Sequence, residues 1–198
     1  MAKAPRAGRT KQRLAASVGA VSAARFYRIC LAHTLMRLGR DPRWRMVLAI
    51  SPDRDVAAPL WPRGIHRLPQ GGGDLGARMQ RLFRRLPPGP AIIVGSDIPA
   101  IRPSDIARAF RLLGNGDAVF GRAADGGYWL VGLRRSPRVL SPFPNVGWSS
   151  PHALADTLRN LEGRRIAFAA TLSDVDTEAD YRRLRGNWQR LIPSSSAN

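Results

Sequence analysis

Residues 91–99 read AIIVGSDIP, and this stretch decides the fold. Its first five residues are apolar or glycine, which is typical of a strand buried on both faces of a sheet. Ser96 and Asp97 follow at the carboxyl end of that strand, the edge where α/β sheets place their chemistry. A carboxylate there is costly unless it faces a cleft or a cation, so Asp97 is either a site residue or an exposed loop cap.

Strands and helices alternate on either side of this stretch. Strands are predicted over 46–50, 91–95, 117–120, 128–133 and 165–169, and helices over 21–38, 75–86, 105–113, 150–161 and from Glu178 onward. Proline and glycine predict a loop over residues 2–8 and a mostly irregular segment over 52–74, while Ser104 and Thr177 are predicted helix caps. The alternation predicts a mixed or parallel α/β sheet in a single domain over 1–192, followed by a disordered tail over 193–198.

Charge is the first indication of a partner. The 198 residues carry 32 Lys and Arg against 14 Asp and Glu, a formal net charge of +18. Every basic residue except Lys3 and Lys11 is arginine, which is explained either by codon usage or by selection for an anionic partner. Lysine is a compact point charge that arginine does not replace, so the two lysines near the start indicate a chemical role.

Several classes of protein are excluded by composition. Cys30 is the single cysteine, so no intrachain disulfide forms, and a reducing, cytoplasmic location is expected. His33, His66 and His152 are too scattered for a zinc cluster. Arginine interrupts every apolar run long enough to suggest a membrane span, so none is predicted.

A glycine motif spans Gly71, Gly73 and Gly76 and matches the dinucleotide fingerprint G-x-G-x-x-G, with Asp97 lying 21 residues further on. The fingerprint requires a strand immediately before it, and residues 65–70 contain Pro69 and few strong apolar residues. The sequence therefore favours a turn that precedes the helix over 75–86.

Acidic residues that follow strands are the candidate metal ligands. Asp97 follows one predicted strand, and Asp174 and Asp176 follow another, just before a helix. Mg²⁺ needs only one or two protein carboxylates when a substrate phosphate completes its shell. Helix N-capping explains Asp174 and Asp176 equally well.

The segment Asp125-Gly126-Gly127-Tyr128 combines an acid, two small residues and an aromatic ring. Such a surface suits a sugar or ribose, whereas the Asp-Gly pair alone is also typical of a tight hairpin turn. Trp148 could line the same pocket, but a core or lid contact is the simpler interpretation.

Short segments in a characteristic order run from residue 2 to about residue 184. They are Ala2-Lys3-Ala4-Pro5 with Gly8, Lys11-Gln12-Arg13-Leu14, Gly73-Asp74-Leu75-Gly76 with Arg78-Met79, Gly95-Ser96-Asp97-Ile98-Pro99, the run from Ala124 to Leu133, Trp148-Ser149, and Asp174-Val175-Asp176-Thr177. In order and spacing this set resembles the bacterial GT-A-like proteins described as uncharacterised glycosyltransferases, relatives of phospholactate and molybdenum-cofactor guanylyltransferases.

The resemblance implies a three-layer α/β/α nucleotide-diphospho-sugar transferase fold with a mixed, mostly parallel sheet. It also implies roles for the matched positions. Lys3, Lys11, Arg13, Gly76 and Arg78 would bind the nucleotide, Asp97 with Asp174 or Asp176 would bind Mg²⁺ or Mn²⁺, and Asp125, Gly126, Gly127 and Tyr128 would face the sugar or acceptor. Lys11 and Asp97 would be the catalytic pair, because stabilising charge on a departing phosphate requires no protein nucleophile.

The sequence departs from the family pattern in two places. Family members have a hydrophobic strand directly before the Ala-Lys-Ala-Pro loop, so we expect either that the true start lies upstream of Met1 or that the sheet lacks a central strand; the first is favoured. Gln12 replaces a threonine, which removes a hydroxyl contact to phosphate or metal.

The resemblance leaves the reaction open. A metal-dependent transferase using a nucleotide-sugar donor and an unidentified small acceptor is the first choice, and a nucleotidyltransferase using a nucleoside triphosphate is the alternative. Two other classes remain possible on sequence: a polyanion or nucleic-acid binding protein, which the net charge permits but no recognition motif supports, and an inactive family remnant.

Overall fold

The computed structural model describes residues 1–172, 175 and 178–182. Within them the strands are β1 (Ala2–Lys3), β2 (Val47–Ser51), β3 (His66–Pro69), β4 (Ala91–Val94), β5 (Ala118–Arg122), β6 (Tyr128–Leu133) and β7 (Ile166–Ala169). The helices are α1 (Gln12–Val18), α2 (Ala20–Gly39), α3 (Leu75–Arg85), α4 (Pro103–Asn115) and α5 (Ala153–Arg159), with a short 3-10 helix over Asp53–Asp55. No helix in this described part is long and apolar enough to cross a membrane.

The strands form two sheets that lie edge to edge. Strands β1, β2 and β3 pair in parallel, whereas β6 runs antiparallel between β4 and β5, and β7 pairs in parallel with β5. The Met1 amino group donates a hydrogen bond to the Val94 carbonyl at 2.7 Å and so joins β1 to β4. The strand orders are therefore β1-β2-β3 in the parallel sheet and β4-β6-β5-β7 in the mixed sheet, which confirms the predicted mixture of parallel and antiparallel pairing.

Helices cover both faces of the sheet because the strand side chains alternate between them. Val119 of β5 packs in the cluster that holds Ile106 and Leu113 of α4. The next residue, Phe120, packs on the opposite face with Met79 and Phe83 of α3. Helix α2 covers β1 and β2, and α5 joins the α3 face, so the chain has the three-layer α/β/α architecture that the resemblance implied.

The sequence prediction missed three short elements. Residues 2–8 were expected to be a loop, yet Ala2 and Lys3 pair with Ile50 and Ser51 as strand β1. Residues 52–74 are mostly irregular as predicted, but they include the unpredicted strand β3 over His66–Pro69. Helix α1 was also not predicted.

Pro69 explains why β3 was missed. A residue in a central strand donates its backbone N–H to a neighbouring strand, and proline has no backbone N–H. Pro69 therefore counted as evidence against a strand. In the structure β3 is the edge strand of its sheet, where Pro69 lies opposite Ile50 of β2. A strand does precede the glycine motif, so the absence of a strand was a wrong reason for rejecting a dinucleotide fingerprint. Residues 71–74 nevertheless form the connection to α3 that was predicted.

Helix caps differ from the prediction at one position. Helix α4 begins at Pro103 rather than after Ser104, and the Asp105 carboxylate accepts the Arg102 backbone N–H at 2.9 Å. Residues 178–182 are helical, as predicted from Glu178 onward. Thr177 and the predicted tail over 193–198 lie outside the described residues.

One ion pair fixes the amino-terminal loop to the 3-10 helix. The Arg6 guanidinium contacts the Asp55 carboxylate at 2.5 Å, and the Asp55 side chain is only 4% exposed. The hydrogen bond from Arg6 holds the pKa of Asp55 below its usual 3.8. The Asp55 carboxylate therefore binds a proton less readily in the folded state than in the unfolded state. It follows that the ionised pair stabilises the fold.

This pair predicts a pH dependence of folding stability. Its contribution should be complete above the ordinary carboxyl pKa and disappear as the pH falls through the lowered pKa of the folded state. In urea titrations, Asp55→Asn should therefore be less stable than the parent protein at pH 5, and the difference should shrink on going to pH 3. An unchanged difference over that range would contradict the assignment.

Candidate functional site

The candidate site lies at the carboxyl ends of β1, β2 and β4. Lys3 ends β1 opposite Ser51 of β2, and Ser96 and Asp97 follow β4. The hydroxyl of Tyr27 connects these ends: it accepts the Lys3 backbone N–H at 2.9 Å and bonds to the Ser96 hydroxyl at 2.8 Å. Burial raises the pKa of Tyr27, so its hydroxyl keeps its proton and the strand ends remain joined.

An ion pair between Lys11 and Asp97 is at the centre of the site. The Lys11 Nζ atom lies 2.6 Å from Asp97 Oδ2, and the Lys11 side chain is 5% exposed against 29% for Asp97. The two residues predicted as the catalytic pair are thus in direct contact. Because Asp97 remains accessible while Lys11 is enclosed, an incoming ligand reaches the carboxylate first.

The loop before α1 holds Lys11 in an unusual backbone conformation. Lys11 has φ +50° and ψ +52°, the left-handed region, which costs a residue with a side chain about 1–2 kcal/mol. Hydrogen bonds within the loop offset this cost: the buried Thr10 hydroxyl donates to the Arg6 carbonyl at 3.2 Å, and the Ala15 N–H donates to the Lys11 carbonyl at 2.8 Å. Conformations of this kind concentrate at functional sites.

A cavity of about 190 Å³ opens beside Asp97. Its lining comes from the start of α3, the loop after β4, the β5–β6 connection and the loop before α5. The lining residues are Leu75, Gly95, Asp97, Ile98, Ala123, Asp125, Gly127, Tyr128, Trp129, Trp148, Ser149, Ser150 and Ala153. Asp97 and Asp125 therefore face one space, enclosed by three aromatic side chains.

The segment from Asp125 to Tyr128 is both a turn and part of the cavity wall. It connects β5 and β6, as the hairpin interpretation predicted, and the Gly127 N–H donates to Asp125 Oδ1 at 3.0 Å. Gly126 has φ +84°, and a side-chain carbon at this position would overlap the Pro151 carbonyl. Gly126 is thus required by packing against Pro151, whereas Asp125, Gly127 and Tyr128 line the cavity.

Aromatic rings form the apolar wall of the cavity. Tyr128 packs edge-on against Trp148, with ring centroids 6.3 Å apart, and its hydroxyl lies 3.4 Å from the Thr157 hydroxyl. Burial raises the pKa of Tyr128, which excludes a phenolate at neutral pH. The buried Trp148 indole N–H has no hydrogen-bond partner in the described part of the chain.

The start of α3 contributes Gly76 and Arg78. Asp74 caps α3 by accepting the Ala77 N–H at 2.7 Å. A side-chain carbon at Gly76 would lie 2.8 Å from both Phe143 and Trp148, so this glycine lets α3 approach the aromatic wall. The Arg78 guanidinium donates to the Gly73 carbonyl at 2.9 Å and to the Ser51 hydroxyl at 3.3 Å.

The structure therefore brings most of the predicted residues to one edge of the sheet. Lys3, Lys11 and Arg78 supply positive charge around the carboxyl ends of β1, β2 and β4. Arg13 is exposed on α1, and within residues 1–172 no hydrogen bond or ion pair joins it to this group. Asp174 and Asp176 lie outside the described residues, so their predicted role as metal ligands stays a prediction.

One residue in this network was missed by sequence reasoning. Tyr27 connects β1 to the end of β4 and belongs to no recognisable motif, whereas its partner Ser96 lies in the Gly95-Ser96-Asp97-Ile98-Pro99 segment but was given no role of its own. The signal for Tyr27 was a single phenol on the predominantly apolar buried face of α2, because a buried hydroxyl needs a partner. Cys30 lies on the same helix, and burial raises the pKa of its thiol to about 12, which excludes a thiolate nucleophile.

The acidic residues of the cavity partly satisfy the needs of a divalent cation. Asp97 and Asp125 offer the hard oxygen ligands that Mg²⁺ and Mn²⁺ prefer. No group of three or more histidine, cysteine or acidic side chains suited to a metal occurs in the described residues. A cation held by Asp97 would therefore need further oxygens from outside this set, such as phosphate oxygens.

The comparisons with known proteins agree with this fold. The fold is that of the nucleotide-diphospho-sugar transferases: the chain is similar to a protein of Desulfovibrio desulfuricans G20 described as a "putative nucleotide-diphospho-sugar transferase", with 27% identity over 98% of this chain and 86% of that chain and a TM-score of 0.84. The chain belongs to the family described as "Uncharacterized protein conserved in bacteria (DUF2064)", which matches residues 34–150. No curated protein matches it significantly.

Two more distant structures share the fold alone. The Mycobacterium tuberculosis Rv0371c homologue from Mycobacterium sp. strain JC1 is 17% identical over 82% of this chain and 84% of that chain, with a TM-score of 0.56. The CMP:2-keto-3-deoxy-manno-octonic acid synthetase, whose structure contains CTP, is 15% identical over 82% of this chain and 88% of that chain, with a TM-score of 0.55.

Proposed function

We propose that this protein is a transferase that binds a nucleotide-sugar donor, together with Mg²⁺ or Mn²⁺, in the cavity beside Asp97. The observation that carries the proposal is the Lys11–Asp97 pair at the end of β4, with the carboxylate accessible from the cavity. The D. desulfuricans protein described as a putative nucleotide-diphospho-sugar transferase supports the same class of donor.

The basic residues are suited to the diphosphate of such a donor. Lys3 and Lys11 are point charges, and Arg78 is already hydrogen-bonded to Ser51 at the end of β2, so its guanidinium is fixed in direction. Phosphate oxygens bind strongly to charged N–H donors in a partly enclosed site. These side chains would hold the donor and stabilise the negative charge on the departing diphosphate.

The cation fits the site through Asp97. The Lys11 ammonium already contacts the Asp97 carboxylate. A divalent cation that binds Asp97 therefore competes with Lys11 for this carboxylate. We propose that Asp97 is a ligand, that phosphate oxygens complete the shell, and that Asp174 or Asp176 adds a second carboxylate. When bound, the cation would supply further neutralisation of the diphosphate.

The aromatic side of the cavity is suited to the sugar or the acceptor. Tyr128 and Trp148 present ring surfaces, and the Asp125 carboxylate and the Gly127 backbone present polar groups at the same wall. Glycosyl transfer breaks the bond between the anomeric carbon and the diphosphate oxygen, whose electron pair leaves with the diphosphate. The acceptor hydroxyl oxygen forms the new bond to the anomeric carbon, and its proton passes to water.

Nucleotidyl transfer is the second candidate. The acceptor then attacks the α-phosphate of a nucleoside triphosphate, and pyrophosphate leaves. The likeness of fold to the synthetase that contains CTP favours this possibility, and the basic group around Lys11 suits a triphosphate equally well.

A thermal-shift panel distinguishes the two candidates. Nucleoside triphosphates and nucleotide sugars would each be tested with EDTA, with Mg²⁺ and with Mn²⁺. A ligand present at 100 times its Kd should stabilise the protein by about 2.7 kcal/mol. Metal-dependent stabilisation by a nucleotide sugar is the expected result, stabilisation by triphosphates alone would favour nucleotidyl transfer, and no response to either class would contradict the proposed function.

A further inference from the structure

A second cavity, of about 480 Å³, lies between the end of α4 and the start of β7. Its lining includes Arg108 and Arg111 of α4 and Arg165, together with the apolar residues Leu112 and Ile166. Strands β5 and β7 begin at this cavity and run toward the edge that holds the first one. At about 3.3 Å per residue, the length of β7 alone separates the two cavities by roughly 10 Å.

The arginines of this cavity carry more positive charge than the nearby carboxylate neutralises. Asp117 accepts the Arg165 backbone N–H at 3.0 Å and also lies 3.4 Å from the Arg134 guanidinium. It is therefore shared between two arginines. Arg108 and Arg111 make no hydrogen bond or ion pair with any residue that the structure describes.

Unpaired arginines around one cavity favour an anion. Arg108 and Arg111 are three residues apart and project from the same side of α4, so their charges repel each other. A bound anion would relieve this repulsion. The planar guanidinium group donates two parallel hydrogen bonds to phosphate, which makes a phosphorylated ligand the best match.

The shape of the cavity favours a small ligand over a polymer. Its volume falls within the usual range for small-molecule sites. The lining residues Leu112, Ile166 and Ala167 are apolar and would contact a planar or apolar group, such as a nucleotide base. A nucleic acid would instead be expected to follow an extended basic stripe over the surface.

We propose that this second cavity binds a phosphorylated small molecule of the nucleotide class, at a site separate from the cavity beside Asp97. The proposal goes beyond the proposed transferase function and does not depend on it, because none of the residues that line the second cavity lines the first.

The test is a calorimetric titration with ADP in EDTA, which removes any metal-dependent binding at Asp97. Four proteins would be compared: the parent, Arg108→Ala/Arg111→Ala, Lys11→Met, and the control Arg84→Ala/Arg85→Ala. The control removes the same charge from exposed positions on α3, on the other face of the sheet. Thermal midpoints would verify that all four are folded.

We expect ADP affinity at this site to fall at least tenfold in Arg108→Ala/Arg111→Ala, and to change less than twofold in Lys11→Met and in the α3 control. An equal fall in the control would show a general charge effect and overturn the proposal. No binding in the parent, or binding insensitive to Arg108 and Arg111, would also overturn it. So would exclusive binding of a 20-nucleotide single strand with the steep salt dependence of phosphate contacts.

Discussion

Asp97→Asn is expected to abolish the metal-dependent part of nucleotide binding and to lower the rate of transfer by about 10²–10³-fold. The amide lacks the negative charge that a divalent cation requires, and it replaces the ionic contact with Lys11 by a neutral one. Calorimetric titration of the donor found in the thermal-shift panel, with Mn²⁺ and with EDTA, measures the effect. In the variant the two titrations should give the same affinity.

Asp41→Asn is the matched control for this substitution. Asp41 also pairs with a basic side chain at 2.6 Å, that of Arg43, but the pair lies in the turn after α2, away from the carboxyl ends of the strands. The control should keep the full effect of Mn²⁺. If Asp97→Asn also kept it, Asp97 would not be a metal ligand and the site assignment would be wrong.

Gly126→Ala is expected to reduce the free energy of unfolding by about 2–4 kcal/mol. One part of this cost is the left-handed backbone of Gly126, which a residue with a side chain adopts at about 1 kcal/mol. The larger part is overpacking, about 1–3 kcal/mol, because the new methyl group overlaps the Pro151 carbonyl. Urea unfolding at neutral pH measures the loss directly.

Gly163→Ala separates these two costs. Gly163 has φ +74°, close to that of Gly126, but a side-chain carbon there would meet nothing within 4 Å. It should therefore lose only the backbone part, about 1 kcal/mol. Equal losses at the two positions would mean that the turn shifts freely away from Pro151, and that the hairpin is not a fixed wall of the cavity.

The fold was predictable where local pattern and tertiary environment agree. The apolar runs of β4 and β6 and the amphipathic α3 are such cases, and each lies within a residue or two of its predicted position. Strand β3 could not be predicted, because Pro69 is acceptable only at a sheet edge and edge position is not a local property. The pairing of Ala2 and Lys3 likewise depends on β2, more than 40 residues away in sequence.

The candidate site was predictable in composition but not in contacts. The sequence indicated Lys11, Asp97 and the turn from Asp125 to Tyr128, each from its own motif. The direct Lys11–Asp97 pair and the Tyr27 connection join residues from different elements, so no spacing rule predicts them. The two glycines at the site were also predicted only in part. Gly76 and Gly126 were assigned to ligand binding, whereas the structure shows that close packing against other parts of the protein requires both of them.

The most direct test of the central claim is an anomalous difference map from crystals grown with Mn²⁺ and a nucleoside diphosphate. We predict a manganese peak about 2 Å from an Asp97 carboxylate oxygen, with phosphate oxygens in its shell and the nucleotide in the cavity lined by Tyr128 and Trp148. A nucleotide bound elsewhere, or one bound in this cavity with no manganese at Asp97, would contradict the account.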